Sequence, residues 1–197
     1  MHTRSLRTFL VALGCASAAV AAAPAARAAD LSEPVMLVAK PELAEFYAHS
    51  VLFVRPVGDG RHIGLILNRP TPITLGKLFP EHAASAKVAD PVYLGGPVAT
   101  EGIFAMVHAA QSPGGRSLPL MAGLFLAVDG DVVDGIIETD PQHARFFAGF
   151  VVWQTGELEA EVEGGFWTLV DPDVQLMLRK STDGLWEELT LRSRGAI

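Results

Sequence analysis

Cysteine is almost missing, with one residue, Cys15, in 197. A disulfide framework needs paired cysteines, and a Cys-rich zinc site or thiol redox centre needs several, so these classes are excluded. Positive charge is also scarce. Fifteen Lys and Arg stand against 22 Asp and Glu, for a net charge of −7. The densest basic cluster, Arg179-Lys180 with Arg192 and Arg194, is thin. Nucleic-acid affinity comes largely from Lys and Arg displacing phosphate counterions, and attraction to anionic lipid has the same source, so neither partner fits. No stretch offers the roughly 20 strongly apolar residues of a spanning helix. Heptads, G-X-Y triplets and internal repeats are absent too. What is present, 50% apolar and 19% charged residues, suits one globular domain and rules out disorder.

Residues 1–28 read as a leader rather than as part of the fold. Arg4 and Arg7 form a basic start, Phe9 to Ala23 is a short Ala- and Val-rich run, and Ala26-Arg27-Ala28 has the small-x-small pattern of a signal-peptidase site. The expectation is export with cleavage after Ala28, which makes the mature protein periplasmic or secreted. A minor alternative takes Ala12-Leu13-Gly14-Cys15 as a lipoprotein box with Cys15 acylated. Cleavage removes three Arg and no acid, leaving 12 basic against 22 acidic residues, a net charge of −10 on residues 29–197. The mature domain is then anionic and free of thiols, and its stability must come from burial. A chain of about 170 residues buries roughly 70% of its unfolded surface, so a core suffices.

Short β-branched and aromatic runs predict strands at Val35 to Ala39, Ser50 to Val54, His62 to Leu67, Pro91 to Leu94, Ile103 to Val107, Leu124 to Val128, Arg145 to Trp153 and Phe166 to Val170. Gly58-Asp59-Gly60 predicts a hairpin turn, and Gln111 to Pro119 a loop. Helices are expected after Thr74, over Asp131 to Glu138, after Thr155 with Leu158 and Val162 inward and the glutamates in water, from Asp171-Pro172 to Lys180, and from near Asp183. Strands and helices mix without regular alternation, which favours a single α+β domain.

Four segments together resemble the YqgE/AlgH family, bacterial proteins without an established activity. They are Pro41-Glu42-Leu43 with Ser50-Val51-Leu52-Phe53; Gly64-Leu65-Ile66-Leu67-Asn68-Arg69-Pro70-Thr71; Pro91-Val92-Tyr93-Leu94-Gly95-Gly96-Pro97-Val98; and Gly149-Phe150-Val151-Val152-Trp153 with Gly156-Glu157-Leu158-Glu159-Ala160-Glu161 and Trp167. The resemblance covers roughly residues 34–190. It implies a mixed, mostly antiparallel sheet bent into a pseudo-barrel with flanking helices, and an association with transcriptional control. Glu157 stands where the family usually has Gln, Val152 where it usually has Gly, and the leader is unusual for it.

Candidate binding residues follow from the motifs. Asn68-Arg69-Pro70-Thr71 ends a strand: either Arg69 offers its guanidinium to a carboxylate or phosphate, or the motif is a strand terminator with a buried ion pair. Gly95 and Gly96 either aim backbone amides at an anion or supply tight strand-to-loop geometry. His108 is the one candidate functional imidazole, against a structural reading. Glu157 is either a first-turn acid favoured by the helix dipole or the partner of Arg69 across the barrel mouth. No metal-spaced His set, phosphate loop, cofactor motif or nucleophile elbow occurs. The preferred reading is therefore an exported, non-enzymatic binding module for a protein or small ligand, without cofactor or metal. The alternatives are a hydrolase whose site, such as His108 with Glu157, converges only in the fold, and a transcriptional regulator.

Overall fold

A computed structural model describes residues 30–195; the expected leader, its cleavage site and Cys15 lie outside that range. Strand β1, Val35–Ala39, is buried at every position. It lies between two strands, and its alternate side chains enter different layers: Met36 and Val38 join one apolar cluster, Val35, Leu37 and Ala39 another. Period-two alternation with both faces covered makes the run apolar throughout. Strands β2, Val51–Gly58, and β3, Arg61–Ile66, form the expected hairpin. Its turn uses positive φ at Gly58, Asp59 and Gly60.

The fold is a single α+β domain in which a curled, mostly antiparallel sheet makes a half-barrel flanked, among the described residues, by five α-helices. The remaining strands are β4, Pro70–Thr74; β5, Pro91–Leu94; β6, Val98–His108; β7, Leu118–Met121; β8, Leu124–Ala127; β9, Ala144–Trp153; and β10, Trp167–Val170. The main path runs β10-β1-β2-β3-β9-β6-β8-β7, with β4 paired to β5 and β5 to β9. Strand β9 is the spine. One edge takes β6 antiparallel, and the other is shared, parallel β5 at Phe147 and Ala148 and antiparallel β3 at Val151 to Trp153.

That sharing needs backbones closer than side chains allow. A Cβ on Gly95 would fall 2.3 Å from the Gly149 carbonyl oxygen, and one on Gly96 would fall 2.2 Å from the Phe150 carbonyl carbon. Gly149 itself takes φ +71°, a region closed to most side chains.

The helices are α1, Leu75–Leu78; α2, Gly130–Thr139; α3, Glu157–Glu163; α4, Val174–Leu178; and α5, Leu185–Gly195. Local rules explain several boundaries and miss others. Asp129 caps α2 through the Asp131 amide. The cap of α4 is Asp173, bonding the Gln175 and Leu176 amides, rather than Asp171, and the helix stops at Leu178 rather than Lys180. Thr155 does not cap α3. Gly156 holds that position in the left-handed region, while the Thr155 hydroxyl donates to the Asp59 carbonyl at 2.6 Å. Thr74 occupies the α1 cap position without a side-chain bond. Among the described residues no helix is long and apolar enough to cross a membrane.

Candidate functional site

Asn68 and Arg69 follow β3, and the structure gives the pair different work. Asn68 accepts from the Val51 amide at 2.8 Å and donates Nδ2 to the His49 carbonyl at 2.8 Å. Both ends of its amide are thereby committed to the entrance of β2. The residue it holds, His49, sits at φ +54°, a conformation that costs a non-glycine residue of order 1 kcal/mol and that such bonds sustain. The imidazole of His49 lies against the Trp186 indole, ring centres 4.3 Å apart. The indole is itself fixed, donating Nε1 to the Ala39 carbonyl at 2.7 Å.

Arg69 stands beside this pair. Its Nη2 donates to the Phe46 carbonyl at 2.5 Å and the Ser50 hydroxyl at 2.9 Å, and its guanidinium carbon lies 4.7 Å from the centre of the Phe46 ring. Nη1 and Nε have no acceptor among the described residues. The alternative ion pair to Glu157 is not formed: Glu157 accepts from the Gln154 amide at 2.7 Å and closes its own turn, as a first-turn acid does. Burial pulls the Arg69 pKa down, with Tyr47 opposing that shift. Tyr47 is pushed up by burial first and by Glu161 second, with Arg69 acting the other way.

These groups line an open cleft of about 260 Å³. One wall is Ala48, His49, Asn68 and Arg69; the other is Thr182 through Glu187, the approach and first turn of α5. The cation of Arg69 thus shares the cleft with the carboxylates of Asp183 and Glu187, and no ion pair joins them among the described residues.

The other candidates do not converge there. Thr71 donates its hydroxyl to the Val92 carbonyl at 2.7 Å and ties β4 to β5. Gly95 and Gly96 are buried under β9, and the Gly95 amide donates to the Ala148 carbonyl at 2.8 Å. His108 ends β6 opposite Leu124, just past the Val107 to Ala144 pair at the start of β9. Glu157 follows the far end of the same ten-residue strand, so the two are separated by roughly 30 Å at 3.3 Å per residue. They form no joint site.

Three groupings went unread in the sequence. His49 and the Thr182 to Glu187 turn carry no motif, since they meet only through β1 and α5. Glu161, expected in water, accepts from the indoles of Trp153 and Trp167 at 3.0 and 2.8 Å. Ser85, His82 and Glu138 form a relay, with the hydroxyl 2.8 Å from Nδ1 and the carboxylate 3.4 Å from Nε2. It resembles a hydrolytic triad in composition, but Ser85 has no exposed surface and so offers no nucleophile to a substrate. Among the described residues, no group of three or more His, Cys, Asp or Glu could hold a metal ion.

A family model described as AlgH-like matches residues 36–197. A UPF0301 protein of Methylococcus capsulatus is 33% identical over 77% of this chain and 86% of its own. A UPF0301 protein of Myxococcus xanthus is 30% identical over 82% and 90%. Among solved structures, the AlgH protein of Pseudomonas aeruginosa superposes with TM-score 0.67 at 22% identity, covering 83% of this chain and 88% of that one. Protein DIP2367 of Corynebacterium diphtheriae gives 0.66 at 20%, covering 82% and 86%. At those identities the two structures speak for the fold alone.

Proposed function

The chain belongs to the AlgH-like family, and on that premise we propose that it is an exported, non-enzymatic binding module whose Arg69 cleft takes a carboxylate of its ligand. The observation that carries this reading is a guanidinium held by one nitrogen on the wall of an open cleft, with two nitrogens left without acceptors among the described residues. A charge-assisted pair from such a fork is worth about 1.5–3 kcal/mol. The walls are set before any ligand arrives, since the Asn68 and Trp186 side chains are fixed by hydrogen bonds to backbone and Asn68 in turn holds the His49 carbonyl, which lowers the ordering cost of binding. Export is supported by the basic, apolar and small-x-small order of residues 1–28.

Two measurements test this. Titration with N-acetyl-L-leucine, a single carboxylate on an apolar body, should give saturable changes in the amide signals of residues 48–50 and 182–187. The Arg69→Gln variant should weaken that binding by about tenfold or more, the equivalent of about 1.4 kcal/mol, while melting cooperatively. Undiminished binding by this variant would rule the cleft out. For export, the intact mass of the protein from an envelope fraction should correspond to a chain beginning at Ala29. A full-length cytosolic chain, or a fatty-acylated Cys15, would overturn that part.

A further inference from the structure

The carboxylate reading leaves the opposite wall of the cleft unexplained, and that wall is acidic. Asp183 and Glu187 both line it. Glu188, the next acid on α5, is committed to Arg179 at 2.8 Å and Arg192 at 2.5 Å, but Asp183 and Glu187 form no ion pair or side-chain hydrogen bond among the described residues. A cleft with a cation on one side and two free carboxylates on the other disfavours a phosphate or any polyanion, because the acids repel the second charge. It equally disfavours a simple cation, which Arg69 repels. A ligand carrying both signs close together satisfies both walls.

We infer that the cleft recognises a small zwitterion, in the form of a free α-amino acid, with its carboxylate on Arg69 and its ammonium on Asp183 and Glu187. The inference rests on the proposed carboxylate site and adds the second charge to it. Size agrees: about 260 Å³ is the share of roughly nine water molecules, which suits a ligand of about ten heavy atoms and is tight for a nucleotide. Between the charged walls, the His49 and Trp186 rings meet with centres 4.3 Å apart and planes tilted by 50°, so the two rings brace each other. Asn68 contributes position only, since both ends of its amide are bonded to backbone.

The test uses the mature chain and three probes on one leucine scaffold: L-leucine with both charges, N-acetyl-L-leucine with the carboxylate alone and L-leucine methyl ester with the ammonium alone. Calorimetry, with tryptophan fluorescence as a second readout because Trp186 lines the cleft, should rank L-leucine at least tenfold tighter than either blocked form. A double variant, Asp183→Asn with Glu187→Gln, should lose about tenfold for L-leucine and nothing for N-acetyl-L-leucine, with thermal melting to confirm that it folds. Arg69→Gln should weaken both. If N-acetyl-L-leucine binds as tightly as L-leucine, or the double variant treats them alike, the zwitterion is overturned and the carboxylate site survives. If the methyl ester binds best, or no probe binds, both readings are overturned.

Discussion

Arg145 is a full cation with 1% of its surface exposed, and no carboxylate of the described residues lies within ion-pair reach. It donates to the carbonyls of Met177, at 2.6 Å, and Leu67, and its guanidinium carbon lies 3.9 Å from the Tyr93 ring centre and 5.0 Å from that of Phe147. Burial draws its pKa down to about 10, with Tyr93 resisting the shift. A cation whose native pKa is depressed releases its proton first in the folded state, so this group's contribution improves as pH climbs from about 10 towards its ordinary, higher value and is least favourable in neutral solution. The residue is nonetheless hard to replace, because truncation strands two buried carbonyls. Arg145→Met is expected to cost about 3 kcal/mol, visible as a lower urea midpoint with an unchanged slope. A midpoint within experimental scatter of wild type would show that those carbonyls find other donors. The sequence does mark this position, as a charge inside the aromatic run Ala144 to Trp153, although only the fold shows where its donors go. For His49 and Trp186 it gives no comparable mark, since their meeting depends on the path of the whole chain between them.

Among the elements, strands were easier to read than the ends of helices. Apolar runs identified β1, β5, β8 and β9 because both faces of a central strand are covered. Asn68 to Thr71 does follow the end of β3, as expected, but its Pro70 also opens a new strand, β4, which pairs with β5. Proline fits there because an outer edge needs no amide donor. Likewise Leu118 and Pro119, expected in a loop, begin β7 beside β8. Helix caps failed where a backbone glycine, Gly156, did what Thr155 was expected to do. The placement of α5 depends on Glu188, whose pKa is lowered chiefly by its hydrogen bond from Arg179. A carboxylate with a depressed native pKa stabilises above its unfolded value, and that contribution is lost as pH falls through the native one. Glu188→Gln should therefore melt below wild type near neutral pH, and the gap should close on acidification as the native carboxylate takes up its proton. A gap that persists in acid would assign the effect to packing instead.

Taken whole, the sheet is curled but not closed, so it has outer edges at β4, β7 and β10. Two are guarded by proline, Pro70 and Pro72 on β4 and Pro119 on β7, which withhold amide donors from a neighbouring chain. Replacing Pro72 and Pro119 with Val should leave the circular dichroism spectrum intact while raising light scattering on concentration. Unchanged scattering would mean that other features blunt those edges. Curling also brings distant parts of the sequence together. The cleft takes one wall from residues 48–69 and the other from residues 182–187, while the spine strand that organises the sheet is already complete at Trp153. In chain order, then, most of the residues of the core precede the second wall. A chain that stopped before Thr182 would hold every strand of the sheet yet lack that wall.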